Sequence, residues 1–139
     1  MNKIKFAQRS SVEFVEEGNI LAPTFYEEDV IPVVVTETKS GLVLMLGYMN
    51  KEALEKTILT KEAHYWSRSR KALWKKGESS GMVHKIDEIL IDDDQDSIWL
   101  KVTIGGLGAS CHVGYKSCFY RSVDSIENDE FILNFTESE

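Results

Sequence analysis

The chain has 139 residues, of which 42% are hydrophobic, including 3 Trp, 5 Tyr and 6 Phe. This is enough apolar material for one domain with a core, and it excludes disorder along the whole chain. The formal net charge of −7 argues against nucleic-acid binding, because proteins that bind nucleic acids usually carry a basic face. The charge is uneven, however. Residues 39–121 hold 13 basic and 10 acidic side chains, whereas the flanks hold 3 basic and 13 acidic ones. The net charge therefore does not exclude a binding site for an anionic substrate within residues 39–121.

Apolar segments long enough for targeting or membrane insertion are not expected. No apolar stretch follows the first basic residues, and the longest apolar run, residues 42–46, is far too short to span a bilayer. A cytoplasmic location is therefore expected, with no membrane partner. In a reducing compartment the two cysteines, Cys111 and Cys118, are not expected to form a structural disulfide. They are then free thiols, a redox pair or metal ligands.

The first predicted elements are a peripheral arm and a hairpin. Residues 1–28 are acidic and broken by Pro23, which predicts a peripheral arm with one short element. Residues 31–36 are rich in β-branched side chains and predict a strand. A turn at residues 39–41 leads to a second strand over residues 42–48, whose continuous apolar character predicts burial on both faces.

A helix and further strands follow. Asn50 is a suitable N-cap for a helix that ends near Thr60. Later segments with strand character cover residues 63–67, 83–91, 98–104 and 130–135. Alternation of apolar and polar residues in 98–104 is typical of a half-buried strand. The content is mostly β with one clear helix, which predicts the α+β class.

Two cysteines and a histidine form the first candidate site. Cys111 and Cys118 flank His112 within eight residues, and thiolates with an imidazole suit a borderline-soft metal such as Zn²⁺. The gap between the cysteines is wider than in most structural zinc sites, so the spacing fits a pair of buried, inert cysteines equally well. Two or three ligands leave a tetrahedral site open, as a catalytic zinc requires, unless another ligand comes from elsewhere.

Four aspartates lie within residues 92–96, between two predicted strands. If this segment is extended, Asp92, Asp94 and Asp96 point to one side and Asp93 to the other. Three carboxylates on one side favour a hard divalent cation such as Mg²⁺. A solvated turn is the commoner arrangement for an acidic run. However, neighbouring carboxylates repel one another unless a cation or a basic partner offsets them.

A basic and aromatic segment spans residues 64–81. Its guanidinium and ammonium groups, its hydroxyls and its Gly/Ser loop can hold phosphate, and its aromatic rings can stack on a base. A basic surface loop beside core tryptophans is the alternative. His64 is a candidate base or ligand, although a lone histidine in a strand is more often structural, and His84 is assigned no role. The candidate substrate-binding residues are Arg68, Arg70, Trp74, Lys75, Glu78 and Ser79.

Together these segments resemble the phosphoribosyl-AMP cyclohydrolase family of histidine biosynthesis. The resemblance implies a β-rich α+β subunit with one main helix, in an intertwined homodimer with sites at the subunit interface. It divides the chain into an acidic arm (1–29), a cyclohydrolase-like catalytic domain (30–121) and a C-terminal extension with a strand (122–139). The stretches that carry it occur in the family's order: VLMLGYMNKEAL, EAHYWSRSRKALWKKGESSG, DDDQD, LKV and CHVGYKSCFYR.

The resemblance also implies metal ligands, with one departure from the family pattern. The family's DCDxD motif supplies its third zinc ligand from a cysteine, and this chain has Asp93 at that position. Three hypotheses follow: a zinc site in which Asp93 is the third ligand, zinc lost or held with the help of His112, and a paralogue with another purine substrate. The implied ligands are Asp92, Asp94 and Asp96 for Mg²⁺ and Cys111 and Cys118 for Zn²⁺.

The implied reaction is hydrolysis of the N1–C6 bond in the adenine ring of phosphoribosyl-AMP. Hydroxide formed at zinc near neutral pH attacks C6, with His112 or His64 as the proton shuttle. Arg68, Arg70 and Lys75 then hold the two phosphates. The alternatives are a divergent paralogue that hydrolyses or deaminates another purine nucleotide, and a non-catalytic module that binds a metal or a nucleotide.

Overall fold

The computed structural model describes residues 6–106 and 115–136. Within them, two α-helices, a 3₁₀ turn at Glu27–Asp29 and eight strands follow one another along the chain. We number them α1 (Val12–Glu17), β1 (Ile31–Glu37), β2 (Val43–Met49), α2 (Lys51–Thr60), β3 (His64–Ser67), β4 (Ala72–Lys75), β5 (His84–Ile91), β6 (Ile98–Ile104), β7 (Arg121–Glu127) and β8 (Glu130–Phe135).

Four of the strands form a mixed sheet in the order β2-β1-β6-β5. β1 is antiparallel to β2 but parallel to β6, and β5 is antiparallel to β6. The strands β3 and β4 pair as a separate hairpin, as do β7 and β8. This β-rich arrangement with one main helix confirms the predicted α+β class.

The core lies on one face of the mixed sheet. Helix α2 begins at Asn50, whose side chain accepts a hydrogen bond from the Ala53 amide at 2.9 Å, and it buries Ala53, Leu54 and Thr57. The Thr57 hydroxyl oxygen accepts from the amide of His64 at 2.9 Å, which fastens the helix to β3. The fully buried side chains include Ile31, Val33, Val35, Leu44, Met49, Tyr65, Leu100 and Val102.

The opposite face of the sheet is uncovered, so the predicted burial of the second strand on both faces is wrong. Leu46 pairs with Val34, Val34 with Trp99, and Trp99 with Leu90, which places the four side chains in one row across the sheet. Leu46 is 52% exposed and Trp99 is 39% exposed. β2 is an edge strand of this sheet, and among the described residues Lys101 contacts the row, with Nζ 4.7 Å from the Trp99 ring centroid. The row defines what we call the outer face.

Two strands and one helix were not predicted individually. β4 and β7 have short or polar sequences, and each is held mainly by its hairpin partner. Helix α1 lies in the arm, where the Ser11 hydroxyl caps it by accepting from the Phe14 amide at 3.0 Å. No helix in the described part of the chain is long and apolar enough to cross a membrane.

Candidate metal centre and substrate cavity

The acidic residues between β5 and β6 form a tight turn, so the extended conformation assumed from the sequence is wrong. Gln95 has a positive φ of 56°. One Asp92 carboxylate oxygen accepts from the amides of Asp96 and Ser97, at 2.9 and 3.1 Å. The turn still brings together the predicted trio, because ligand atoms of Asp92, Asp94 and Asp96 all lie within 4.8 Å of one another.

The three carboxylates of this turn differ in their electrostatic state. Desolvation opposes the ionisation of Asp92, but hydrogen bonds from Asp96 and Ser97 outweigh it and lower its pKa to about 2. A hydrogen bond shared with Asp96, desolvation and the nearby charge of Asp92 raise the pKa of Asp94 to about 6. The turn therefore concentrates negative charge that a cation would offset.

One oxygen of Asp94 fits this interpretation. Its Oδ1 is shielded from solvent and has no hydrogen-bond partner among the described residues. A buried carboxylate oxygen without a partner is costly. Oxygen donors from several carboxylates are the ligands that Mg²⁺ and Ca²⁺ prefer. The residues present therefore fit a hard divalent cation.

The predicted zinc ligands are less fully described. Cys111 and His112 lie outside the described residues. Cys118 is exposed, and its amide donates to the Leu44 carbonyl of β2 at 2.7 Å. Asp93 is exposed and accepts from the Asp94 amide through Oδ1 at 2.9 Å. Within the described ranges of one chain, neither Cys118 nor Asp93 joins a group of three potential metal ligands.

The basic segment borders a cavity of about 400 Å³ between β2 and the β3–β4 hairpin. The Arg68 guanidinium lies over the Tyr48 ring, with Cζ 3.8 Å from the ring centroid. The Arg70 amide donates to the Ser67 hydroxyl at 3.2 Å. Trp74 also lines this cavity. The structure thus brings Arg68, Arg70 and Trp74 together, beside a tyrosine that the sequence did not single out.

The remaining substrate-binding candidates lie at the end of β4 and beyond it. Lys75 forms a 2.9 Å ion pair with Glu62, and the hydrogen bond from Lys75 lowers the pKa of Glu62. Glu78 and Ser79 lie exposed in the turn after β4. None of these three residues lines the cavity. Gly77 in the same turn has a φ of +80°.

The two described histidines have different surroundings. Nδ1 of His64 lies 2.9 Å from the carbonyl oxygen of Glu62. A carbonyl can only accept, so Nδ1 carries the proton and Nε2 remains as the basic nitrogen. His84 is fully buried, with Nδ1 3.1 Å from the hydroxyl of Tyr65. His84 therefore belongs to the core of the domain.

The arm contacts the acidic turn, a relationship that sequence reasoning missed. The Gln95 side chain is 5% exposed and bonds to the backbone of the arm at Val15 and Ala22. The Tyr26 hydroxyl donates to Asp96 Oδ2, and this hydrogen bond raises the pKa of Tyr26 to about 12. These partners lie 70 to 80 residues apart in the sequence, and no local pattern indicates such pairings.

Comparison with known proteins assigns this chain to a family. The family model described as phosphoribosyl-AMP cyclohydrolase matches residues 45–120, more than half of the chain and the part that holds both the cavity and the acidic turn. The chain belongs to the phosphoribosyl-AMP cyclohydrolase family. The resemblance seen in the sequence is thereby confirmed.

Individual members of the family are similar over nearly the whole chain. A phosphoribosyl-AMP cyclohydrolase of Rhodopseudomonas palustris (strain HaA2) is 49% identical over 96% of this chain and 89% of its own length. One of Brucella canis is 50% identical over 86% of each chain. One of Chelativorans sp. (strain BNC1) is 49% identical over 95% of each. In all three cases the similarity therefore extends beyond the segment that the family model matches.

Proposed function

We propose that this chain hydrolyses the N1–C6 bond of the adenine ring in phosphoribosyl-AMP, a step of histidine biosynthesis. The observation that carries the proposal is the family match over residues 45–120, together with relatives of that name at about half identity over most of the chain. The matched segment holds the cavity, the acidic turn and Cys118. The aromatic side chains of this region suit an adenine ring, its basic side chains suit two phosphates, and its acidic side chains suit metal ions.

Substrate binding is assigned to the cavity and the turn after β4. Arg68 is fixed over Tyr48, and a planar guanidinium in a fixed position suits bidentate binding of phosphate. Trp74 offers a ring for stacking on the base. Outside the cavity, substrate phosphates would be bound by Lys75, which is paired with Glu62, and by the turn that holds the exposed Glu78 and Ser79.

Two metal ions are part of the proposal. Asp92, Asp94 and Asp96 would hold Mg²⁺, and Cys111 and Cys118 would hold Zn²⁺ with Asp93 as a third ligand. A carboxylate and two thiolates are within the range of donors that zinc accepts. When bound, zinc supplies a Lewis acid that makes water more acidic.

His64 and His112 are the candidates for moving protons. The protonated Nδ1 of His64 faces the Glu62 carbonyl, which orients the ring and leaves Nε2 to accept a proton from water or substrate. His112 lies next to Cys111 in the sequence, beside the proposed zinc ligands. A general base needs this combination of a fixed ring and an available nitrogen.

The active form is proposed to be a homodimer with sites at the subunit interface. Two observations support it: the outer face exposes Leu46 and Trp99, and the β7–β8 hairpin exposes Phe131 at 77% and Val123 at 75%. Apolar surfaces of this kind usually contact another chain. An interface site would also allow Asp93 of one subunit to meet Cys118 of the other.

The test is turnover of phosphoribosyl-AMP by the purified protein. We expect the ring-opened carboxamide product, loss of activity on treatment with a chelator, and recovery on addition of Zn²⁺ and Mg²⁺. Turnover of a different purine nucleotide, with phosphoribosyl-AMP untouched, would establish the paralogue instead. Binding without turnover of any purine nucleotide would indicate a non-catalytic module.

A further inference from the structure

The N-terminal arm forms hydrogen bonds to the acidic turn. Gln95, at the centre of the turn, uses both ends of its side-chain amide. Oε1 accepts from the Ala22 amide at 2.7 Å, and Nε2 donates to the carbonyls of Val15 and Ile20 at 2.8 and 3.3 Å. The Gln95 carbonyl also accepts from the Thr24 amide at 2.9 Å. The arm therefore binds both the side chain and the backbone of this residue.

Two further contacts reach the residues on either side of Gln95. The Arg9 guanidinium bridges the arm and the turn, since Nη1 donates to the Ala22 carbonyl at 2.7 Å and Nη2 to the Asp94 carbonyl at 2.8 Å. The Tyr26 hydroxyl donates to Asp96 Oδ2. Three consecutive residues of the turn, Asp94, Gln95 and Asp96, are thus each bonded to the arm.

These contacts do more than attach a terminal segment. A terminal segment could be attached anywhere on the domain. These bonds instead reach Asp94 and Asp96, which are candidate metal ligands, and Gln95, which lies between them. Gln95 has a φ of 56°, a conformation that a residue other than glycine adopts at a cost unless its surroundings hold it there. The bond from Tyr26 fixes one oxygen of Asp96 and leaves the other available as a ligand.

We propose that Gln95, Arg9 and Tyr26 are positioning residues, through which the N-terminal arm sets the geometry of the cation site at Asp92, Asp94 and Asp96. The proposal rests on the proposed function of that trio as metal ligands. Groups that orient the ligands of a metal typically change its affinity by about 10- to 100-fold when they are removed. Binding of the cation is therefore a property of the arm and the turn together.

The test measures metal binding by the full-length protein and needs no activity. Mn²⁺ replaces Mg²⁺ because it accepts the same oxygen ligands, and electron paramagnetic resonance distinguishes free from bound Mn²⁺. Tyr26→Phe is the main variant, since it removes a single hydroxyl from a side chain that is 52% exposed. Gln95→Gly is the second, because glycine readily adopts a positive φ and its introduction removes the side-chain bonds to the arm.

Thr38→Val is the matched control. It also removes a hydroxyl that donates to a carboxylate, here Asp87 at 2.5 Å, but far from the turn in sequence and outside the trio. We expect the Kd for Mn²⁺ to rise about 10-fold in Tyr26→Phe, and at least as much in Gln95→Gly. Thr38→Val should keep the wild-type Kd, and the metal-free melting temperature of Tyr26→Phe should stay close to that of the wild type.

The outcomes distinguish the positioning role of the arm from the proposed cation site on which it rests. If wild-type protein binds no Mn²⁺, or if Asp94→Asn binds as tightly as the wild type, the metal site itself is refuted, and the positioning role with it. If Asp94→Asn loses binding while Tyr26→Phe and Gln95→Gly keep the wild-type Kd, the metal site stands and the positioning role is refuted. A purely structural arm would lower the metal-free melting temperature without this change in Kd.

Discussion

The hydroxyl of Tyr65 and Nδ1 of His84 lie 3.1 Å apart inside the core, and both side chains are fully buried. Burial, with a smaller contribution from the nearby charge of Lys76, lowers the pKa of His84 to about 3. Burial also raises the pKa of Tyr65. Both groups are therefore neutral in the folded protein, and the hydrogen bond joins a phenol to an uncharged imidazole.

This pair predicts how stability depends on pH. The unfolded chain binds a proton at His84 below a pH of about 6.5, whereas the folded chain binds it only near pH 3. Between these values the unfolded state holds more protons, so the free energy of unfolding falls as the pH falls. For one such group the slope reaches about 1.4 kcal/mol per pH unit. Urea titrations between pH 7 and pH 4 measure it.

His84→Gln isolates this contribution. The variant is expected to be less stable than the wild type at pH 7, and the difference should shrink steadily as the pH falls, because glutamine does not titrate. Two stability curves that run parallel over this range would contradict the assignment to His84. Tyr65→Phe should cost about 1 kcal/mol through the lost hydrogen bond and should keep the slope.

Asp94→Asn tests the interpretation of the acidic turn as a cation site. Its neighbours oppose ionisation of Asp94, so the variant is expected to melt at a higher temperature than the wild type without metal at pH 7. Added Mg²⁺ should raise the melting temperature of the wild type, because it binds the folded state, and should have a much smaller effect on the variant. Differential scanning calorimetry with and without Mg²⁺ measures both effects.

Asp129→Asn provides the control for this comparison. It makes the same change of charge in the β7–β8 turn, at a φ of 64° that asparagine tolerates well. It should respond to Mg²⁺ as the wild type does. An equal response of Asp94→Asn and wild type would exclude Asp94 from the cation site.

Arg68→Ala tests the substrate cavity. Loss of a charged hydrogen-bond donor to phosphate should lower kcat/KM for phosphoribosyl-AMP by about 10- to 100-fold. Lys56 provides the control, because it is a basic residue exposed on helix α2 and lies outside the cavity. Steady-state kinetics should show little change in Lys56→Ala, and an equal loss in both variants would contradict the special role of Arg68.

Gly77 and Gly81 bound the turn after β4 and form a matched pair for mutation. Their φ angles are +80° and +79°. A Cβ at Gly77 would lie 2.3 Å from backbone atoms of Met82 and Val83, whereas a Cβ at Gly81 would meet nothing within 4 Å. Gly81→Ala should therefore cost only the conformational strain, about 1 kcal/mol. Gly77→Ala should cost about 1–3 kcal/mol more, as chemical denaturation would measure, and equal losses would contradict the steric argument.

The predictable parts of this fold are those that local physics determines. The hairpin of β1 and β2, the N-cap at Asn50 and the strands β5, β6 and β8 follow from apolar patterns and capping chemistry, and the structure contains them. β7 was not predicted because its sequence is polar and its strand depends on β8. Burial of β2 was overestimated because an apolar strand looks the same whether its second face is covered or bare.

The candidate site also has parts that the local sequence predicts and parts that depend on tertiary contacts. Arg68, Arg70 and Trp74 lie close in sequence and line one cavity, and the aspartates stay together because the turn is short. The contacts of Gln95 with Val15 and of Tyr26 with Asp96 join segments from opposite parts of the chain. Such pairs are set by the tertiary fold, and residue type at neither position indicates the other.

The parallel pairing of β1 with β6 has a consequence for synthesis of the protein. The first hairpin is complete once β2 has left the ribosome, but β6, which pairs with the inner edge of β1, emerges only after the helix and the second hairpin. Until then β1 presents an unpaired edge rich in valine. Such an edge readily pairs with another chain. Several ribosomes translating the same mRNA close together would therefore favour strand exchange between nascent chains of this protein.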